Sequence, residues 1–380
     1  MSDIYGYAIL NIAAHTSQCD ADGFLSATLE RPSNLYAGGT SIQQFESSVN
    51  TSRLSVRGWV FQERLSSPRI LHCMRGAFYH EDDDGARAED GSYTASKGIR
   101  GDWKRLKLDR EWYQLMEVYS TCSLTYERDR LPAVAGLASR LHGSQGLAYC
   151  GGIWAASIHE GLLWVRLDSF THHRIGASDD EKPPSWSWAY CGSYIQFLTL
   201  GDPSCFPTIE FGSFKPLKRA SVATSLSKIS GNARLELRAG IRSMSTMSIK
   251  QQTFYAFLGL PPIADANRVW KLYKNHRNKG LTGMGWVIFD SNHVHTDLSN
   301  LWMAQIAQEE PRYNAFKPCR DCIRDGDHNL EHEGPWTFPT AYVLVLVPIE
   351  AEHHYRRVGI GRVWSHPLKT EVEYRTIFIH

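Results

Sequence analysis

The stretch Arg57–Arg69 reads RGWVFQERLSSPR and has the layout of a short helix with a defined end. Residues Arg57–Leu65 predict a helix in which Trp59 and Glu63, four positions apart, share one face. The helix is expected to end at the serines before Pro68, because proline disfavours helical geometry in the residue that precedes it. The stretch therefore predicts a short helix that carries Trp59, Gln62 and Glu63 on successive turns.

Two later stretches carry further, unrelated patterns. Tyr126–Ala138 (YERDRLPAVAGLA) predicts a turn that leads into a helix, and Pro184–Gly192 (PSWSWAYCG) predicts an aromatic strand. No single physical requirement produces the three patterns in this order, so their joint presence is specific. Together they resemble the fungal heterokaryon-incompatibility (HET) domain family. The resemblance covers most of the chain and includes Tyr5–Ala14, Trp112–Thr125, Gly151–Trp154, Leu162–Trp164, Gly285–Asp290 and Tyr355–Gly359.

The resemblance implies a fold and an activity. HET domains are similar in fold to TIR domains, several of which hydrolyse NAD with a helical glutamate that follows a tryptophan. By this resemblance Glu63 is the catalytic carboxylate and Trp59 the residue that stacks on the substrate. A carboxylate beside the ribose stabilises an oxocarbenium-like centre, as in glycoside cleavage. The alternative is structural: Trp59 packs the helix, and Glu63 pairs with Arg57 or Arg64.

The sequence departs from the family pattern in two places. Family members usually begin with two further strands, and this sequence starts after the positions of both. We therefore expect a shortened member without the nucleotide-binding half of the pocket. The segment Tyr79–Glu81 also stands where the family tends to have a Trp-Glu-Cys strand end.

Composition argues against nucleic-acid and membrane partners. Lys and Arg number 41 against 40 Asp and Glu, so no overall field attracts the chain to either. No stretch reaches the roughly 18 consecutive apolar residues of a spanning helix, and no signal peptide is evident. The 8 cysteines are scattered, as is usual for free thiols inside cells. We expect a cytoplasmic protein with a small-molecule substrate; a homo-oligomer or a protein partner stays open.

The predicted secondary structure changes near Pro183, from mainly helical to mainly β. Residues 1–183 are expected to form a partial HET-like helical and α/β region, and residues 184–380 a β-rich C-terminal domain. The β-prone segments there are Arg234–Ala239, Gly285–Asp290, Ala341–Pro348, Tyr355–Trp364 and Glu371–Ile379. The predicted fold class is α+β, a shortened TIR-like or HET-like α/β layer packed on a β-rich domain.

A hairpin and an acidic segment follow the opening stretch. Arg69–Met74 and Ala77–His80 predict a short β-hairpin, and Glu81–Asp90 (EDDDGARAED) predicts a solvated acidic loop. No nucleophile with a visible activator is found. The isolated histidines, which we expect to be satisfied polar residues rather than bases, are His15, His72, His80 and His159.

The aromatic content is high, with 12 Trp, 17 Tyr and 15 Phe. Such residues line pockets for flat, apolar ligands as well as filling cores. The candidate substrate-binding residues are Trp154, Trp164, Trp186, Trp188 and Tyr190. They predict a cofactor-independent enzyme of fungal secondary metabolism, a cyclase or pericyclase that works by shape and hydrogen bonding. The alternative is a heterokaryon-incompatibility or cell-death protein that acts by protein contacts or by residual NAD hydrolysis through Glu63.

One pattern has metal-ligand chemistry. Cys319, Cys322, His328 and His332 form C-x2-C-x5-H-x3-H, a set of zinc ligands with a middle gap far shorter than that of a zinc finger. The alternative is an unliganded pair of thiols. No phosphate-binding or dinucleotide-binding glycine motif occurs, so no cofactor other than this zinc is predicted.

Overall fold

The structure is a computed structural model of the chain. It describes residues 2–17, 21, 23–24, 42–95, 110–145, 148–167, 182–192, 194–200, 202–216, 233–251, 269–276, 280–290, 297–309, 340–364 and 372–380. The chain divides into two compact units, Met1–Gly146 and Leu147–His380. Each unit contains helices and strands, so the protein is of the mixed α+β class. Within the described ranges, no helix is both long enough and apolar enough to cross a membrane.

The first unit combines helices with a five-stranded sheet in the order β1-β2-β3-β4-β5. The helices are α1 (Ser2–Gly6), α2 (Phe45–Asn50), α3 (Gly58–Ser66), α4 (Arg110–Ser120) and α5 (Pro132–Gln145). The strands are β1 (Asn11–Ala14), β2 (Arg69–Met74), β3 (Ala77–Asp82), β4 (Gly85–Ala88) and β5 (Tyr93–Ala95). Short 3-10 helices are formed by Ile42–Gln44 and Glu127–Asp129.

Strands β1 and β2 run parallel, with α2 and α3 between them in sequence. Parallel neighbours need such a crossover, because a tight turn can join only antiparallel strands. The pairs from β2 to β5 are antiparallel. The predicted hairpin is confirmed, with Arg75 and Gly76 as its turn. The sheet of the first unit therefore has one parallel pair, β1–β2, connected through helices, and continues from β2 to β5 with antiparallel strands.

Helix α3 has the ends that the sequence predicts. The backbone is extended at Arg57 before it and at Ser67 after it, and the Ser67 N–H still reaches the Glu63 carbonyl at 3.0 Å. The buried ring of Phe61 packs against Tyr119 of α4, with the ring centroids 5.3 Å apart. Burial of this face leaves Trp59 and Glu63 on a partly exposed side of α3.

The acidic segment after the hairpin does not form the predicted solvated loop. Strand β3 continues to Asp82, and β4 begins at Gly85. Glu81 is only 5 % exposed, because it lies in the strand opposite Ile70 and its carboxylate receives bonds from neighbouring cationic and imidazole groups. A buried carboxylate with such partners is stable in a strand, which charge counting alone does not reveal.

The second unit is rich in strands, and each of the five predicted β-prone segments overlaps a strand. Helix α6 (Ile158–Leu162) precedes β8. The strands are β6 (Tyr149–Cys150), β7 (Ile153–Trp154), β8 (Trp164–Arg166), β9 (Ile195–Phe197), β10 (Cys205–Pro207), β11 (Glu210–Pro216), β12 (Ala233–Ser243), β13 (Met247–Gln251), β14 (Val269–His276), β15 (Gly280–Phe289), β16 (Trp302–Glu309), β17 (Thr340–Pro348), β18 (His354–Trp364) and β19 (Glu373–Ile379).

Five of these strands pair in a closed circuit. Strand β16 pairs with β12, β12 with β19, β19 with β18, β18 with β17, and β17 with β16. The β18–β19 contact is parallel and involves only His354 and Tyr355 against Phe378 and Ile379, whereas the other four are antiparallel. Closure of this kind gives every strand of the circuit two neighbours, as in a barrel.

The boundary between the units lies after Gly146 rather than near Pro183. Strand β8 pairs with β9, and the Trp164 indole donates to the Trp186 carbonyl at 3.1 Å. Residues before Pro183 are therefore held by residues after it. The aromatic strand predicted within Pro184–Gly192 does not form. This segment is a turn followed by a 3-10 helix, and the Ser187 hydroxyl caps that helix. That hydroxyl competes with strand pairing for the backbone.

A Gly-Gly turn supports the tryptophans of this region. Gly151 and Gly152 join β6 to β7 with φ values of +57° and +88°, as a two-residue hairpin turn of this type requires. A Cβ atom on Gly152 would lie 2.2 Å from the Trp188 indole nitrogen. The turn and the tryptophan therefore fit only if position 152 carries no side chain.

We predict that Gly152→Ala destabilises the protein more than Gly91→Ala. Gly91 has a φ of +80° and open space around its Cβ position, so alanine there adds only backbone strain of about 1 kcal/mol. At Gly152 the buried Trp188 must also move, which costs roughly 1–3 kcal/mol more. Urea denaturation of both variants measures the difference; equal losses would contradict this packing.

Candidate functional site

Helix α3 brings the two sequence-predicted catalytic residues onto one face. The Trp59 indole donates to the Asp129 carboxylate at 3.4 Å, a long hydrogen bond. Glu63 is hydrogen-bonded to the Tyr5 hydroxyl of α1. Trp59, Glu63 and Tyr5 are each partly buried. The Trp59 indole therefore donates to the carboxylate of Asp129 and shares its helical face with a second carboxylate, Glu63, which is bonded to the Tyr5 phenol.

The surroundings of Glu63 make its carboxyl group more basic than usual. Partial burial raises its pKa, while the hydrogen bond from Tyr5 and the positive charge of Arg57 oppose the rise. Burial raises the pKa of Tyr5, and the charge of Glu63 and the hydrogen bond to it raise it further. The Tyr5 hydroxyl therefore keeps its proton and donates the hydrogen bond to Glu63. Glu63 can thus act as an electrostatic stabiliser when ionised and as a proton donor when protonated.

The sequence also offers Glu63 a structural role, in which its carboxylate pairs with Arg57 or with Arg64. The contacts of these two arginines differ. Arg64 directs Nε and Nη2 to the two carboxylate oxygens of Glu81, each at 2.9 Å, and Nη1 to the Asn50 side chain at 2.7 Å. All three guanidinium nitrogens of Arg64 thus have partners other than Glu63. Arg57 does act on Glu63 through its charge.

A second group of polar side chains lies between β1, β2, β3 and the end of α2. His72 Nε2 lies 2.9 Å from the Glu81 carboxylate, and His72 Nδ1 lies 2.9 Å from His15 Nε2. His15 Nδ1 in turn lies 2.7 Å from the Ser52 hydroxyl oxygen. We call Ser52, His15, His72 and Glu81 the serine relay. It joins a partly exposed hydroxyl to a buried carboxylate through two imidazoles.

Electrostatics fix the charge states within the serine relay. Burial alone would raise the pKa of Glu81, but the hydrogen bond from His72 and the Arg64 guanidinium outweigh it and hold that pKa far below its usual value. Burial, helped by His72 and the Arg64 charge and opposed by Glu81, lowers the pKa of His15 to about 3. Glu81 is therefore an anion, and His15 is a neutral imidazole at physiological pH.

Sequence reasoning missed the serine relay, although the hairpin register holds a signal for it. In the register, Ile70 faces Glu81 and His72 faces Tyr79, so His72 and Glu81 are diagonal neighbours on one face of the sheet. Ala13 is paired with His72, which places His15, two residues further on, on that same face. The contribution of Ser52 depends on where α2 ends, and no sequence pattern predicts it.

The aromatic residues predicted to line a substrate pocket are mostly core residues. Tyr190 is partly exposed. Each of the four tryptophans is 0 % exposed, so no water-sized space adjoins them: Trp154, Trp164, Trp186 and Trp188. The indole N–H groups of Trp164 and Trp188 donate to backbone carbonyls, and the Gly-Gly turn packs against the rings of Trp186 and Trp188. The predicted pocket walls are thus corrected to a packed core.

A buried arginine holds this aromatic core together. The Arg357 guanidinium binds the Asp290 carboxylate through Nε at 2.9 Å and Nη2 at 3.1 Å. It also donates to the carbonyls of Leu162 at 2.7 Å and Trp164 at 2.6 Å. Its guanidinium carbon lies 3.4 Å from the ring centroid of Trp164. Every face of this cation is therefore occupied by protein.

The predicted zinc ligands Cys319, Cys322, His328 and His332 lie outside the described residues. Among the residues that the structure does describe, no group of three or more His, Cys, Asp or Glu side chains is arranged to hold a metal ion.

Comparison of the chain with protein-family models, with curated proteins and with solved structures finds no match. The geometry of the described residues therefore carries the functional argument.

We predict that Arg357→Met is strongly destabilising. It leaves the buried Asp290 carboxylate and two carbonyls without their donor, a loss of about 3–5 kcal/mol. Arg238→Met is the matched control, because Arg238 and Glu210 form a pair with side chains 55 % and 73 % exposed. The control should change stability by less than about 0.5 kcal/mol. Urea denaturation measures both, and similar losses would contradict the assigned role of Arg357.

We also predict that stability falls as the pH is lowered. The ordinary pKa of histidine is 6.5 and that of glutamate 4.5, and both are lowered in the folded chain at His15 and Glu81. The unfolded chain therefore binds more protons, which weakens folding below pH 6.5 through His15 and below pH 4.5 through Glu81 as well. Each group contributes at most about 1.4 kcal/mol per pH unit.

Urea denaturation at a series of pH values measures this slope. His15→Gln should flatten it in the upper part of the window, where His15 titrates and Glu81 does not. His80→Gln serves as the control, since His80 lies on β3 with 38 % of its side chain exposed and contacts Asp82. A slope unchanged by His15→Gln would show that His15 is protonated equally in both states.

Proposed function

We propose that the first unit is a HET-like domain with a TIR-like α/β layer, and that it cleaves the N-glycosidic bond of a nicotinamide dinucleotide through Glu63. The motif order of the sequence supports the family assignment. The parallel β1–β2 pair with helices between its strands supports the α/β layer. NAD is the substrate in this proposal rather than a bound cofactor.

The observation that carries the proposal is the state of Glu63. Its carboxylate shares a helical face with Trp59, and Arg64 bonds to Glu81 and Asn50 instead. Glu63 is thus spared a charge-neutralising pair with Arg64, while Tyr5 orients it. An ionised Glu63, bonded to the neutral Tyr5 hydroxyl and with the charge of Arg57 acting on it, carries a negative charge that can stabilise a developing cation.

The chemistry requires a carboxylate beside the ribose and a flat surface for the base. Departure of nicotinamide leaves positive charge on the ribose ring, which an ionised Glu63 stabilises before water attacks. The Trp59 ring offers a surface on which a planar heterocycle can stack, and its indole N–H is directed to Asp129. The proposed roles are therefore stabilisation for Glu63, stacking for Trp59 and orientation for Tyr5.

The cyclase reading receives less support from the geometry. It depends on an aromatic pocket, and the four tryptophans chosen as its walls are fully buried in the second unit. The cell-death reading is compatible with NAD cleavage, since both depend on the same HET resemblance. We therefore place NAD cleavage first.

We predict that Glu63→Gln lowers nicotinamide release from NAD by at least about 100-fold, because glutamine carries no charge to stabilise the ribosyl cation. Glu46→Gln is the matched control, an exposed glutamate on α2. Release is measured by chromatography of purified protein with NAD. Equal rates for Glu63→Gln and the wild type, or no release by the wild type, would remove the proposal.

The pH profile provides a second measurement. Because burial raises the pKa of Glu63, the rate should decline on the acid side at a higher pH than an ordinary carboxyl group would give. Tyr5 donates the hydrogen bond that lowers this pKa, so Tyr5→Phe should move the acid limb to still higher pH. An acid limb that Tyr5→Phe leaves in place would exclude Glu63 as the titrating group.

A further inference from the structure

One assignment of hydrogens makes Ser52 the donor at the exposed end of the serine relay. The Glu81 carboxylate can only accept, so His72 Nε2 carries a hydrogen and donates to it. With His72 neutral, its Nδ1 accepts the Nε2–H of His15. His15 Nδ1 is left with a lone pair, which points at the Ser52 hydroxyl 2.7 Å away. The hydroxyl of Ser52 therefore donates to a base.

A backbone N–H group can also stabilise negative charge on the Ser52 oxygen. It accepts the backbone N–H of Ser55 at 3.2 Å, a contact that becomes stronger as the oxygen loses its proton. A hydroxyl oxygen has two lone pairs, so one stays available for attack on an electrophile. Ser52 is partly exposed, whereas His72 and Glu81 are buried. Reactants can thus reach one end of the relay and not the other.

The other members of the relay hold the base in place. Arg64 binds both oxygens of Glu81, Glu81 fixes the ring of His72, and His72 fixes His15. The ring centroids of His15 and His72 lie 5.1 Å apart, and Phe45 meets the edge of His72 at 5.6 Å. A nucleophile bonded to a base, with the base oriented by a third group, is the arrangement that activates serine.

We propose that Ser52 is an acyl-accepting nucleophile with His15 as its general base. This activity is separate from the proposed function, because it uses neither Glu63 nor Trp59. His72, Glu81 and Arg64 act as positioning residues. The catalytic residues, which touch the reacting atoms, are Ser52 and His15.

The charge of the site selects the class of acyl donor. Arg64 cancels Glu81, and His15 is neutral, so the exposed end of the relay has no net charge with which to attract a phosphate or a carboxylate. His15 is also a weak base, since burial lowers its pKa to about 3, and it assists attack only on a reactive carbonyl. Both properties favour uncharged thioesters and aryl esters over amides and phosphoesters.

The reaction balances with water as the second reactant. The Ser52 oxygen bonds to the carbonyl carbon of the thioester, its proton passes to His15 Nδ1, and the carbon–sulfur bond breaks. His15 returns the proton to the departing thiolate, which leaves as a thiol. Water then attacks the acyl-serine, again through His15, and releases a carboxylic acid with Ser52 restored. The net change is hydrolysis of a thioester to an acid and a thiol.

The experiment uses the purified full chain with two probes, a fluorophosphonate and the acetyl thioester of N-acetylcysteamine. The fluorophosphonate adduct is located by peptide mass spectrometry, and thiol release from the thioester is followed by absorbance. We expect the adduct on Ser52 and a rate that Ser52→Ala lowers by at least about 100-fold. Ser47→Ala, an exposed serine on α2, should react as the wild type does.

The pH dependence separates a catalytic base from a structural histidine. With His15 as base, the wild-type rate should stay constant from about pH 8 to about pH 5, where an ordinary histidine would already be protonated. The groups that face His15 are Arg64 of α3, His72 of β2, Glu81 of β3 and Ser52. His15→Gln should lower the rate by about 100-fold at every pH in this range.

Adduct mapping on the wild type makes the test independent of whether the variants fold. A fluorophosphonate adduct absent from Ser52, or spread equally over Ser47 and other exposed serines, would overturn the proposal. A thioester rate that Ser52→Ala leaves unchanged, with the variant folded by circular dichroism, would overturn it as well. A wild-type rate that falls with a midpoint near pH 6.5 would remove His15 as the base.

Discussion

The buried carboxylate of Glu81 is the constraint on which the first unit depends. An ionised carboxylate removed from water is costly unless several donors surround it. Arg64 of α3 supplies two hydrogen bonds and His72 of β2 a third. Satisfying one charge thus fixes the position of α3 against the sheet, and with it the orientation of Trp59 and Glu63 on the other side of that helix. The same carboxylate sets the tautomer of His72.

Much of the fold follows from local sequence patterns. The ends of α3, the β2–β3 hairpin and the recurring strands of the second unit are all set by short-range rules of periodicity and turn chemistry. The closed circuit of strands and the division after Gly146 depend on pairings between distant segments, such as β8 with β9. Periodicity says nothing about which strands will meet, so these features could not be predicted from it.

The sites show the same division between local and distant information. The roles of Trp59 and Glu63 follow from the HET resemblance of one short stretch, in which a single helical turn separates the two residues. The members of the serine relay are spread from His15 to Glu81 and meet only through strand register and the end of α2. The burial of Glu81, in a run of acidic residues that predicts a solvated loop, and of the four tryptophans depends on tertiary neighbours. The sequence shows that a residue is aromatic or charged, but it does not show whether the side chain will be buried or exposed.

The Arg357 contacts have a consequence for how the second unit is made. Arg357 is separated by 195 residues from Leu162 and by 193 from Trp164 along the chain. Contacts of such long range close large loops and are formed late and slowly. The segment around α6 and β8 must therefore leave the ribosome well before its cationic anchor has been synthesised. The native contacts of this tryptophan-rich segment with Arg357 therefore form only after β18 has been synthesised.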